Sequence, residues 1–175
     1  MLREKQRIGI IGVGVVGGAA SHYFEKVLGE HVLLYDRYKR LGSPAEVNAA
    51  NTVFLCVPTP YTPGIGFDDS AILESLALLD GAKTVVVKST VLPGSTERYQ
   101  RLFPQHELVF SPEFLRERKA VQDFLQPDLQ VVGYACGRRA AAERVMHLLP
   151  RAKQRLVCLD RHSLTRGQTL GPKSD

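Results

Sequence analysis

The stretch Arg7-Ile-Gly-Ile-Ile-Gly-Val-Gly-Val-Val-Gly-Gly18, with Val32-Leu-Leu-Tyr-Asp36 behind it, decides the fold. Ile8–Ile11 is a short apolar run of the kind that forms a buried strand. Gly12, Gly14 and Gly17 follow at G-x-G-x-x-G spacing, and a segment with helical spacing begins at Val15. The glycine spacing alone is weak. Its context strengthens it: a strand precedes, a helix follows, and Asp36 closes the second apolar run. In such a unit Gly12 permits a tight turn and Gly17 lets helix and strand pack closely. Gly14, flanked by Val13, Val15 and Val16, lets the backbone approach a pyrophosphate, which sits at the positive end of the helix. Asp36 is placed to accept hydrogen bonds from ribose hydroxyls, and its charge repels a 2′-phosphate, so NAD is expected over NADP. Arg37 and Arg40, next along the chain, are the residues that would hold a 2′-phosphate instead. Their other reading is a solvated loop.

Outward from this unit, Val53–Val57, Val85–Val87, Leu108–Phe110 and Leu129–Val132 are further apolar runs, most of them rich in β-branched residues and none alternating cleanly with polar ones. Strands buried on both faces of a parallel sheet have this pattern. Helical spacing marks Val15–Leu28, Ser70–Leu79 and Arg138–Leu149. The short link 36–52 has room for one small helix, Ser43–Ala50, with Ser43 as N-cap and Pro44 at the first helical position. Alternating strands and helices predict an α/β fold of the Rossmann type, doubly wound, with a mostly parallel sheet and helices on both faces. Residues 1–159 are expected to form this domain, with Arg155–Leu159 as one more strand. Residues 160–175 have no apolar period and are expected to form a disordered tail.

The chain of 175 residues suits one domain, and 44% hydrophobic residues suffice for a core. The net charge of +5 is concentrated at the end, where Arg151, Lys153, Arg155, Arg161, Arg166 and Lys173 face only Asp160 and Asp175. No basic face with interleaved aromatics precedes that region, which argues against a nucleic-acid partner. No run approaches a membrane span, and MLREKQRIGI lacks the apolar core of a secretory signal, so a cytoplasmic protein is expected. Cys56, Cys136 and Cys158 have no CxxC spacing, which argues against a disulfide framework or a structural zinc site. Cys56, inside VFLCVP, reads as a buried thiol rather than a nucleophile.

Three further motifs each begin where an apolar run ends: CVPTPY (56–61), KSTVLPGS (88–95) and SPEFLRE (111–117). In an open α/β sheet ligands bind outside the carboxyl ends of the strands, so these motifs should converge on one edge, beside Gly12–Gly17. In Val57-Pro58-Thr59-Pro60 the prolines stiffen a wall suited to a flat nicotinamide ring, or simply make a rigid turn. Ser89 and Thr90 precede a helix start. Thr90 could hold a substrate oxygen or a water, or either hydroxyl could be an N-cap. Lys88 reads as structural or electrostatic. Glu113, between a proline and apolar residues, is a candidate general base or acid if partly buried, and an ordinary salt-bridged residue otherwise.

In order, GVGVVG, Asp36, FLCVPTP, VVVKSTVLPGST and SPEFLRERKAVQDFLQPDLQVVG resemble the UDP-glucose/GDP-mannose dehydrogenase family over roughly residues 7–150. PEFLRE with DFLQPD is more similar to the UDP-glucose branch than to the GDP-mannose branch. The short 36–52 link resembles a compact bacterial or phage-like subset. The resemblance implies oxidation of a sugar C6 alcohol to a carboxylate with two NAD, on a UDP-sugar substrate, and leaves a homo-oligomer open. It implies cofactor contacts at Gly12, Val13, Gly14, Val15, Val16, Gly17, Asp36, Arg37, Val57, Pro58, Thr59, Ser89 and Thr90. It implies Thr90 and Glu113 at the reaction centre, and substrate contacts along Glu113, Phe114, Leu115, Arg116 and Glu117.

The sequence departs from the family in its last part. The family passes its product through a thioester on a cysteine in a GxCxPKD-type motif, and no such motif occurs in these residues. Its lysine and asparagine, in a segment like AEMxKxxxN, are replaced by LDRHSLTRGQTLGPKSD. No counterpart of the family's helical domain or UDP-gripping second domain is expected within these 175 residues. Three readings result: a truncated nucleotide-sugar dehydrogenase inactive by itself, a non-catalytic NAD-binding module or subunit needing a partner chain, and a different dehydrogenase sharing the first domain. The third lacks support, because hydroxyacid dehydrogenases do not combine KSTVLPG with PEFLRE. The coding region downstream separates the first two: a GxCxPKD-like sequence there favours truncation.

Overall fold

The computed structural model describes residues 7–64 and 66–159. The expected tail at 160–175 lies outside the described residues. Strand β1 (Ile8–Ile11) leads into helix α1 (Val15–His22), and β2 (Val32–Tyr35) into α2 (Pro44–Val47). After β3 (Thr52–Leu55) comes a two-residue-strand hairpin, β4 (Tyr61–Thr62) and β5 (Gly66–Phe67), then α3 (Ser70–Ala77). The chain continues through β6 (Thr84–Val87), α4 (Ser95–Leu102), β7 (Glu107–Phe110), α5 (Ala120–Leu125), β8 (Leu129–Tyr134), α6 (Arg139–Leu148) and β9 (Gln154–Leu159).

The main sheet runs β2-β1-β3-β6-β7-β8-β9. Every neighbouring pair is parallel except β7 and β8. The doubly wound, mostly parallel sheet is therefore as expected, and β9 occupies the edge position beyond β8. Strand alternation sorts the core into two layers. Ile8, Ile10, Phe54, Val86, Val109 and Val132 face one side with Ala19, Phe24, Phe124 and Val145 from α1, its continuation, α5 and α6. Val53, Leu55, Val85, Val87 and Leu108 face the other with Val47, Ile72, Leu76 and Tyr99 from α2, α3 and α4.

Local chemistry explains the connections. In the short β2–β3 link the Ser43 hydroxyl accepts the Glu46 N–H at 3.2 Å with Pro44 in the first turn, which caps a helix of only four residues. The expected continuous helix 15–28 instead widens after His22 into a π-turn at Tyr23–Val27. That turn buries two adjacent aromatics. Phe24 packs on Phe54 with centroids 5.1 Å apart, and Tyr23 on Phe124 at 5.8 Å. A regular helix would rotate one of them further from the core.

Candidate active site

The site is built by the register of four strands. Ile11, Leu55, Val87 and Phe110 lie side by side. The hydrogen-bond ladder then runs one residue further: the N–H of Gly12 donates to Tyr35 O (2.9 Å), Cys56 to Ile11 O (2.8 Å), Lys88 to Leu55 O (2.8 Å) and Ser111 to Val87 O (2.9 Å). This row fixes the first residue of each motif at the carboxyl edge of the sheet. It brings Gly12, Gly14, Val15, Val16, Asp36, Cys56–Thr59, Lys88–Thr90 and Glu113 around one cleft of about 490 Å³.

The glycine loop is shaped for close approach. Gly12 has φ 87°, and a Cβ there would lie 2.7 Å from Cys56 O. A Cβ on Gly17 would lie 2.0 Å from Gly12 O, so helix and loop touch there. At Gly14, the N-cap of α1, a Cβ would meet nothing within 4 Å, and no side chain caps the helix. The first turn of α1 thus presents backbone N–H groups to open space, the arrangement that receives a pyrophosphate. The residues present fit a dinucleotide.

Asp36 is held from both sides. Its Oδ2 accepts the Val13 N–H at 2.8 Å, and Oδ1 accepts those of Tyr38 (3.0 Å) and Lys39 (2.9 Å). Partial burial opposes its ionisation, but the N–H groups of Lys39, Val13 and Tyr38 and the Lys39 ammonium outweigh burial and keep the carboxyl below its ordinary range. Lys39 also donates from Nζ to Val13 O at 2.5 Å, tying the Asp36 loop to the glycine loop. The sequence reading missed this lysine because a charged turn residue carries no periodic signal. Beside Asp36 a smaller hollow of about 80 Å³ is lined by Ile11, Tyr35, Arg37, Tyr38, Val57, Pro58, Ala71, Glu74, Ser75 and Leu78. Arg37 pairs with Glu74 at 3.1 Å and lies over the Tyr38 ring.

At the opposite end, neither Ser89 nor Thr90 caps α4. That helix is capped by Gly94 in the left-handed region, φ 86°, with no side-chain bond. Ser89 Oγ donates to Val57 O at 2.6 Å, and Thr59 Oγ1 to Thr90 O at 2.7 Å, so the two loops are cross-braced. The Thr90 residue is exposed at the cleft. Glu113 is not solvated: its side chain is 10% exposed, and Oε2 lies 2.6 Å from the fully buried Lys88 Nζ. The contact is an ion pair without an aligned hydrogen bond to Oε2. Cys56 is half-buried, packed on the core layer of α1 but opening on the cleft, and so is not the core-interior thiol expected. Burial pushes it up to about 12, with Lys88 lowering and Glu113 raising it.

The remaining residues of 113–117 diverge. Phe114 is exposed, Leu115 packs against the core layer of α1 and α5, and Arg116 is turned to Asp123. Arg116 Nε and its second guanidinium nitrogen reach the two Asp123 oxygens at 2.9 and 2.7 Å, holding that carboxyl well below the usual carboxylate range. Glu117 is exposed at the start of a 3-10 turn. Of the ionisable residues in this motif, only Glu113 lines the cleft.

Residues 37–149 match the NAD-binding domain of the UDP-glucose/GDP-mannose dehydrogenase family. The UDP-glucose 6-dehydrogenase of Rhizobium meliloti is 38% identical over 98 residues, covering 50% of this chain and 22% of that protein. Its counterpart from Haloferax volcanii is 34% identical over 115 residues, covering 56% of this chain and 27% of that protein. The solved UDP-glucose dehydrogenase of Pyrobaculum islandicum superposes with a TM-score of 0.75 at 25% identity, covering 92% of this chain and 48% of that one. The chain spans about a quarter of the length of these curated relatives and about half of the solved one. Among the described residues no helix is long and apolar enough to cross a membrane. With its fold, its glycine cradle and its motif row in family order, the chain belongs to the UDP-glucose/GDP-mannose dehydrogenase family, through its NAD-binding domain.

Proposed function

We propose that this chain is the cofactor-binding part of a UDP-glucose 6-dehydrogenase-like enzyme, which converts UDP-glucose and two NAD to UDP-glucuronate. The observation that carries the reading is the hydrogen-bonded row Gly12–Cys56–Lys88–Ser111, which gathers the family's motifs around one cleft. NAD, when bound, accepts hydride from the sugar carbon. In this reading Gly14–Val16 receive the pyrophosphate, Gly12 and Gly17 shape the loop, Val13 contributes by tying that loop to Asp36 rather than by a free N–H, and Asp36 takes the adenosine ribose with Arg37 beside the adenine. Val57–Thr59 and Ser89–Thr90 wall the nicotinamide. Thr90 presents a hydroxyl to a water or substrate oxygen. Glu113 accepts or returns a proton there, and the 113–117 backbone borders the sugar.

The same reading holds that the chain does not complete the oxidation alone. A four-electron oxidation at one carbon needs the aldehyde held between its two steps. The three cysteines of the sequence do not supply a thiol for this: none lies in a GxCxPKD motif, and the one at the cleft is a half-buried thiol of raised pKa. Calorimetric titration should give tight binding of NAD and weaker binding of NADP. Incubation with UDP-glucose and NAD should yield no UDP-glucuronate. Equal affinity for NADP would refute the role of Asp36, and two NADH per sugar with acid product would refute the inactivity.

A further inference from the structure

Strand alternation directs a charge to an unusual place. Phe54, Val86 and Val109 face the α1 and α5 side, so Cys56, Lys88 and Ser111, two residues on, face it too. There Lys88 is fully buried. Its Nζ donates to Ser111 Oγ at 3.2 Å, lies over the Phe124 ring at 5.6 Å, and meets Glu113 Oε2 at 2.6 Å. A buried ion pair is a poor way to gain stability, because desolvation of two charges offsets their attraction, and apolar residues of similar size often serve as well. This pair also lies at the cleft wall rather than in the core interior: both partners line the cleft, and among the described residues Lys88 is the one cation that lines it.

The strand order β2-β1-β3-β6-β7 gives the cleft a direction: Asp36, after β2, with the smaller hollow beside it lies at one end, the glycine loop after β1 comes next, and Lys88 and Glu113, after β6 and β7, lie at the other. A dinucleotide laid along it puts its nicotinamide at the Lys88–Glu113 end. That ring is cationic in NAD+ and neutral in NADH. A lone carboxylate beside it would favour the oxidised form and a lone ammonium the reduced form, whereas a paired carboxylate and ammonium favour neither. We propose that Lys88 is a positioning residue that holds Glu113 in a neutral pair at the nicotinamide end, so that the site binds both redox forms of the cofactor without a charge bias. This inference rests on the reading of the cleft as the NAD site.

The test is the ratio of dissociation constants for NADH and NAD+, measured on the whole chain by calorimetry at pH 8, with a thermal melt of each variant. Lys88→Met should raise the ratio about tenfold, as one uncompensated charge near the ring requires at intermediate effective dielectric. Glu113→Gln should lower it by a similar factor. Lys88→Arg should leave it within about twofold of the unsubstituted chain. The double variant Lys88→Met/Glu113→Gln carries no charge at this position, is the one least exposed to misfolding, and should return the ratio close to its starting value. Parallel weakening of both forms in the single variants, or a double variant whose ratio stays displaced, would leave the pair a purely structural one and overturn the inference. If the unsubstituted chain binds neither form, the reading of the cleft falls first and the inference with it. If it binds both and the ratio never moves, only the inference falls.

Discussion

Gly14, the N-cap of α1, and Gly17, in its first turn, lie three residues apart, yet the structure assigns them opposite sensitivities. In Gly17→Ala the new methyl would lie 2.0 Å from the Gly12 carbonyl oxygen and 3.3 Å from Cys56 Cβ. The first contact is with backbone, so relief requires α1 to lift from the loop by about 1 Å. Overpacking of this kind costs about 2–4 kcal/mol. In a domain of this size that lowers the melting temperature by roughly 5–15 °C. In Gly14→Ala the methyl meets nothing within 4 Å, and φ is −79°, open to any residue. Loss of a favoured N-cap residue and the smaller entropy of the unfolded chain nearly cancel, leaving stability within about 1 kcal/mol. The same methyl stands where a pyrophosphate must approach the α1 N–H groups. Losing one charged hydrogen bond there costs about 1.5–3 kcal/mol, roughly 10–100-fold in affinity. Differential scanning calorimetry with NAD titration separates the two effects: Gly17→Ala should melt early, and Gly14→Ala should melt normally and bind poorly. If Gly14→Ala bound NAD like the unsubstituted chain, the cradle would not be the pyrophosphate site.

The cleft thiol and the far edge of the sheet give two more outcomes. With its pKa pushed up to about 12, half-buried Cys56 should be alkylated by iodoacetamide at pH 8 much more slowly than exposed Cys136, and peptide mass mapping that found Cys56 labelled first would contradict its raised pKa. His106 is fully buried, and burial together with Lys83 lowers its pKa, against a raising contribution from Leu79 O. The unfolded chain therefore binds a proton below about pH 6.5 that the folded one resists, and stability should fall as pH drops through that range. A melting temperature flat between pH 7 and 5, or a slope unchanged in His106→Gln, would assign the acid sensitivity elsewhere.

What the sequence made legible follows from how each feature is encoded. Buried parallel strands announce themselves as apolar runs, so β1, β2, β3, β6, β7 and β8 were readable to within a residue or two, and glycine at 12, 14 and 17 is a backbone requirement that one residue type meets. The antiparallel entry of β8 was not readable, because an apolar run looks the same in either direction. Nor was α5, six residues long with one buried side chain, Phe124, and too short for a helical period. The site divides along the same line. Position at a strand end could be read, since the ladder sets it, and Cys56, Lys88 and Ser111 follow from counting two residues past Phe54, Val86 and Val109. Pairing could not. Glu113 and Arg116 are both charged residues of one loop, and nothing local distinguishes the carboxylate turned inward to Lys88 from the guanidinium turned away to Asp123. That difference is made by α5, which brings Phe124 over the lysine and Asp123 beneath the arginine from adjacent positions on a single turn. The helix least visible in the sequence is thus the one that decides which charge of the PEFLRE motif reaches the cleft.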